Sequence, residues 1–209
     1  MTAAFSEVFP LVLTPRHPQR AALQEALELA EGFCGAFPIP PLGLRTEPLR
    51  DRDGFFDPLR PELGVRIDDD AEQPALTFIH ELAHVLDLQV LGVPGIWESQ
   101  APGTPAARTA WQRFFGSVED TAAYTTLKRY RDGDEEAFRG VRGFASYLLT
   151  PHELFARVYA QYVAIQTARP RLLDELRQLQ LRAVSPQWSD DEFVTLTAPT
   201  AALLKVYGR

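Results

Sequence analysis

The chain has 209 residues, 45% of them hydrophobic and 23% charged, which is enough for one domain with a sizeable core. Its net charge of −7 sets the surface against phosphate backbones and anionic lipid, so neither nucleic acid nor a membrane is an expected partner. A single cysteine, Cys34, leaves no internal disulfide and fits a reducing compartment.

At the start, "MTAAFSEVFPLVLTPRHPQR" has no basic lead-in and no clear cleavage site, and no apolar run nears the roughly 18 residues of a membrane span. A cytoplasmic protein is expected. Leu23, Ala26, Leu27 and Ala30 recur at helical spacing and predict an amphipathic helix over about 18–34, broken by "PIPPLGL". In "GFFDPLRPELGVRIDDD" the best strand runs from Leu63 to Ile67, with a weaker one near Phe55 and Phe56 among prolines. "EQPALTFIHELAHVLDLQVLG" predicts a strong helix with Pro74 in its first turn and Gly92 at its end.

The Pro/Gly-rich stretch "VPGIWESQAPGTPAA" is a long loop of the kind that borders functional clefts. One or two helices follow, with Gly116 as the kink point. Then come helices in "TPHELFARVYAQYVAIQTA" and "RPRLLDELRQLQLRAV", and a last one from about Pro199 to Val206. The predicted fold class is α+β, mostly helical with a small sheet. It forms one domain over 1–209, with a core over about 52–168 and C-terminal helices over about 170–207.

The chemistry concentrates in "TFIHELAHVLD". On a helix, residues four apart share a face, so His80 and His84 can turn two imidazoles toward one ion at the roughly 2.0–2.1 Å that Zn–N bonds require. Glu81 is one step round from His80, badly placed as a ligand but able to reach a water beside the ion. Two ligands and one general base thus come from five residues. With four histidines and fifteen glutamates in the chain, shuffling reproduces this pattern in only about 0.5% of cases, so it outweighs the alternative of a core helix with two chance histidines. Asp87, three residues past His84, is a candidate to orient a ligand histidine, or else a surface carboxylate.

A catalytic site needs a third protein ligand, and the Gly and third His that complete some patterns do not follow His84. Glu153, opening the helix of "SYLLTPHELFARVYAQYV", is the leading candidate. However, Thr150-Pro151-His152-Glu153 also has the form of a capping box, in which Glu153 would fold back on its own helix start. From the residues alone, cap and ligand stand level. His152 competes as a ligand from the next position, and Glu119, Asp120, Glu135 and Glu136 rank lower in charge-rich, solvated stretches.

"TFIHELAHVLD" followed by "ELFARVYAQY" resembles the gluzincin zinc peptidases, in particular their compact members and the catalytic domain of anthrax lethal factor. The likeness covers about twenty-five residues closely, plus an upstream strand, "LGVRI". It implies a zincin-like core in which His80, His84 and Glu153 hold zinc and Glu81 is the base, which favours ligand over cap for Glu153. It also implies that Tyr147 steadies the oxyanion and that a substrate-aligning edge strand lies at Val65, Arg66 and Ile67. Some relatives carry a carboxylate four residues after the ligand glutamate. This chain has Arg157 there, expected to pair with an acid across a helix interface.

The expected protein is therefore a monomeric zinc metalloendopeptidase acting on a peptide or protein substrate. Manganese or cobalt can substitute for zinc, because imidazole and carboxylate accept all three. The alternatives are a regulatory or latent protein of zincin fold, such as a stress-response factor or metal sensor, and a helical module with structural zinc.

Overall fold

The computed structural model describes residues 20–34, 42–45, 49, 53–60, 62–66, 72–133, 139–182 and 184–207. In chain order these form α1 (Arg20–Cys34), β1 (Gly43–Arg45), β2 (Gly54–Asp57), β3 (Glu62–Val65) and α2 (Pro74–Val85). The remaining helices are α3 (Pro105–Glu119), α4 (Ala122–Asp132), α5 (Arg142–Leu148), α6 (Pro151–Thr167), α7 (Pro170–Gln180) and α8 (Asp190–Val206). The fold is α+β and mostly helical, with a small sheet. No described helix is long and apolar enough to cross a membrane.

Helix α2 is the central element. It packs against α6 on one side and α1 on another, lies across β2 and β3, and meets α7 near its first turn. Its sequence explains this, since Phe78, Ile79, Leu82 and Val85 are all buried and surround the polar residues rather than facing one direction. The main core joins residues from α1 through to α8. Phe155 of α6 is fully buried against Trp111 and Phe114 of α3.

The first turn of α2 has no cap of its own, because the Gln73 side chain makes no capping bond. Glu175 of α7 supplies one from across the interface, accepting a hydrogen bond from Leu76 N at 2.8 Å. Burial pushes the Glu175 carboxyl up to about 7, against the backbone hydrogen bonds from Leu76 and Ala75. Between about pH 4.5 and pH 7 the folded chain therefore holds a proton that the unfolded chain has lost, and stability falls as pH rises through that window. Glu175→Gln keeps an acceptor and removes the titration. Its thermal stability relative to wild type should climb across that window, by up to about 3 kcal/mol at the alkaline end. A difference between the two proteins that stays flat with pH would contradict this.

The structure departs from the sequence expectations in several places. The strand expected at Leu63 to Ile67 is β3, Glu62–Val65, and Ile67 lies outside the described residues, as do residues 18 and 19 of the expected first helix. The chain does not kink at Gly116. It breaks at Asp120, after which Thr121 caps α4 by accepting from Tyr124 N. The last helix begins at Asp190 rather than near Pro199, because Ser189 caps it and three acidic residues fill its positive first turn. Its end ties back to the core, with the Tyr207 hydroxyl accepting from Trp111 Nε1 and donating to Glu98.

The expectation for the sheet is also corrected. Strand order is β1-β3-β2, with β3 parallel to β1 and antiparallel to β2, so β3 is the centre of the sheet. β3 pairs with β1 over Glu62–Gly64 and with β2 over Glu62–Val65, and Val65 is fully buried, so among the described residues Val65 belongs to the central strand and not to an edge, with Arg66 just past its end. Arg66 N is itself bonded to Asp53 O at 2.7 Å. The edge strand beside α2 is β2.

Candidate metal centre

Three side chains from two helices converge where α2 crosses the start of α6. His80 Nε2 and His84 Nε2 lie 3.2 Å apart, as one helical turn dictates. Glu153 reaches both, with Oε2 3.4 Å from His80 Nε2 and Oε1 3.0 Å from His84 Nε2. Among the described residues these three form the group of donors able to share an ion. Four tetrahedral ligands at about 2.0–2.1 Å from a zinc ion stand roughly 3.3–3.4 Å from one another. The imidazole separation of 3.2 Å fits that set, and the Glu153 carboxylate brings one oxygen within 3.0 Å of His84 Nε2 and the other within 3.4 Å of His80 Nε2, so two imidazoles and one carboxylate suit a zinc-sized cation.

The cap reading of Glu153 fails for a local reason. Thr150 occupies the N-cap of α6, but its side chain makes no capping bond and its hydroxyl donates to Tyr147 O instead. Its own N–H is bonded to the same carbonyl. No capping box forms, and Glu153 is left to turn inward, where it is 2% exposed. Burial raises its proton affinity, but hydrogen bonds from His80 and His84 more than offset this and hold the carboxyl well below the usual carboxylate range. A buried carboxylate held ionised is the form a metal needs.

His152 does not join the group. Its ring stacks on Trp97 at 4.8 Å, Nδ1 meets Gln100 Nε2 at 3.2 Å, and Nε2 meets Thr150 Oγ1 at 3.3 Å. Burial lowers its pKa, so it stands as a neutral ring in the wall of the cleft. Glu119 and Asp120 are exposed at the end of α3, and Glu135 and Glu136 lie outside the described residues.

The Asp87 expectation is corrected in both its forms. Asp87 is fully buried rather than on the surface, and both its oxygens are committed to Ser99, accepting from Ser99 N at 2.7 Å and from Ser99 Oγ at 2.6 Å. Immediately after Val85 the chain widens into a π-helical turn, Leu86–Val90, which aims Asp87 at the following loop instead of at His84. His84 Nδ1 is consequently buried without a hydrogen-bond partner among the described residues.

These groups line a cleft of about 650 Å³, a size typical of ligand sites. Glu81, buried and one step round from His80, faces it. The Tyr147 hydroxyl donates to Glu153 Oε1, so α5 does bring this tyrosine to the cluster, where it is engaged by the carboxylate. Burial, and then the Glu153 charge, push its pKa well above the usual tyrosine range, so it stays a donor. Trp97, from the Pro/Gly-rich loop, and Phe144, 45% exposed on α5, complete the apolar walls.

Sequence reading passed over Gly54. A Cβ at this position would stand 2.6 Å from Thr77 Cγ2, 2.8 Å from Glu81 Oε1 and 2.9 Å from Glu81 Cγ. The β2 backbone therefore rests directly on the Glu81 side chain, which only a glycine permits. Gly54→Ala should displace the Glu81 carboxylate and slow any reaction that depends on it by about tenfold, in keeping with the sensitivity of catalysis to small displacements, while leaving bound metal unchanged. Parallel metal analysis and rate measurement check this, and an unaltered rate would count against it.

Arg157 also departs from expectation. Among the described residues it pairs with no acid. One arm of its guanidinium donates to Pro186 O at 2.5 Å and the other to Leu148 O at 2.8 Å, and its face lies 4.8 Å from the Trp188 ring. Burial lowers its pKa to about 10, partly countered by the charge of Glu153, so it is a cation at neutral pH.

No protein-family model matches the chain, and no curated protein or solved structure does either. The chemistry of the site rests on its own residues.

Proposed function

We propose that the protein is a metal-dependent peptide hydrolase of the gluzincin kind, with zinc as the natural ion. The observation that carries this is the convergence of His80 Nε2 and His84 Nε2, 3.2 Å apart, on the Glu153 carboxylate, whose Oε2 is 3.4 Å from the first and Oε1 3.0 Å from the second, beside a buried glutamate in an open cleft. A divalent cation held there would supply Lewis acidity, making a water a nucleophile near neutral pH and polarising the carbonyl it attacks.

The chain's own residues do the rest. Glu81 accepts the proton of the attacking water and returns it to the leaving amine as the C–N bond breaks. Tyr147 is the donor placed to steady the oxyanion, once its hydroxyl exchanges Glu153 for the substrate oxygen. The outer edge of β2 (Gly54–Asp57), which among the described residues pairs with no further strand, aligns an extended peptide, with backbone hydrogen bonds providing affinity. Trp97, Phe144 and the His152 ring exclude water from one side.

A structural zinc site is the less favoured reading. It calls for four protein ligands, and the nearest fourth, His152, has both ring nitrogens engaged elsewhere. Metal analysis of the purified protein, paired with casein cleavage by wild type and Glu81→Gln, tests the proposal. Absence of a tightly bound metal, or cleavage that survives a strong chelator, would overturn it.

A further inference from the structure

The cleft extends past the cluster along α6 to an end the proposed reaction does not use. There Arg157 and Gln187, 3% and 6% exposed, line it from beneath, and Arg182 stands at the rim. Arg157 is a buried cation with no carboxylate within ion-pair distance among the described residues, and its Nε has no hydrogen-bond partner. Gln187 Oε1 is likewise buried and, among the described residues, unpartnered. Arg182 is partly exposed, with NH2 shared between the outlying Glu72 and Gln73 Oε1. A charge taken out of water without a counter-ion costs several kcal/mol unless something else occupies that place. Its nearest negative charge, Glu153, is already shared by two histidines and Tyr147.

We infer that this end of the cleft is a subsite for a substrate carboxylate, met at the rim by Arg182 and held by the positive potential of Arg157 below. The inference rests on the peptide-hydrolase reading and names the substrate class for that site. Arginine is the side chain suited to the task, because its guanidinium matches a carboxylate in geometry as well as charge.

The position follows from the helix. Arg157 is one turn beyond Glu153 on α6, about 6 Å along its axis. An extended peptide advances about 3.3–3.6 Å per residue. For a peptide running along α6, that separation puts the carboxylate one or two residues from the scissile bond. An acidic side chain and a free C-terminal carboxylate both present this chemistry.

The test uses the full-length Glu81→Gln protein and fluorescent alanine-based octapeptides, each carrying one Glu at successive positions, each with a Gln twin, and each with a free or an amidated C-terminus. Binding is read by anisotropy. The expected result is a Glu peptide, or a free-terminus peptide, that binds at least tenfold tighter than its neutral twin, with the gap shrinking below threefold in Arg182→Gln. Loss of the gap on amidation assigns the carboxylate to the chain end, and its persistence assigns it to a side chain.

Equal binding of the twins, or a gap that survives Arg182→Gln, overturns the inference. Arg157→Met should close the gap as well, and if that variant does not fold, exposed Arg182 decides alone. Zinc-dependent casein cleavage by wild type with no acidic preference would sink the subsite and spare the hydrolase. Charge-selective binding without any cleavage would do the reverse.

Discussion

Glu81→Gln is expected to keep its metal while hydrolysing peptides about 10²–10⁴-fold more slowly than wild type, the usual contribution of a positioned general base. The substitution preserves size, so Gly54 and Thr77, which enclose this side chain, need not move. It also leaves His80, His84 and Glu153 intact. What it removes is the capacity to take a proton from water and deliver it to the leaving amine, because an amide is not a base in this range. Metal content and turnover are therefore predicted to separate. Retained turnover in a metal-loaded Glu81→Gln protein would eliminate the mechanism.

The second large effect is expected from the cluster itself. His84→Ala and Glu153→Gln should each lose metal and activity together, with metal affinity falling by more than the 10–100-fold that outlying partners of a metal site contribute. His84 is one of only two imidazoles in the group, and Glu153 provides its only negative charge. Glu153→Gln has the sharper diagnostic value, because it retains a hydrogen-bonding side chain of the same length in a place where Glu153 is 2% exposed. Its fold should survive, and competition against a graded chelator then reads affinity alone. Metal binding equal to wild type would show that Glu153 does not ligate.

Much of this was legible from single helices. The four-residue spacing of His80 and His84, and the neighbouring Glu81, are properties of one segment, and a helix translates spacing directly into a shared face. The stretch around them similarly predicted a strong helix, and the structure has one over Pro74–Val85. Glu153 was harder, since Thr150 and Pro151 made a cap equally consistent, and only the resemblance favoured the ligand. The structure adds a local reason: the Tyr147 carbonyl takes the Thr150 N–H and hydroxyl that a capping box would have used.

The expectations that failed concerned directions set by neighbours. Asp87 has helical spacing from His84, but the π-turn after Val85 breaks the spacing rule at that point. The strand bearing Val65 has the stronger pattern, yet a strand's own alternation does not reveal whether its edges are free, and pairing with β1 and β2 consumed both. Arg157 was assigned an acid and found two carbonyls and an indole ring, because its environment is assembled from Leu148, nine positions upstream, and from Pro186 and Trp188, about 30 positions downstream.

By itself the sequence determined which helix carries His80, Glu81 and His84 together, and that the fold is mostly helical. These follow from composition and from periodicity within one element. Only the tertiary structure decided that Glu153 meets those imidazoles, that Gly54 of β2 rests on Glu81, and that a cation with no carboxylate partner among the described residues lies one turn beyond the cluster. Each of these depends on two segments distant in sequence arriving at one place, which packing sets and no local pattern records.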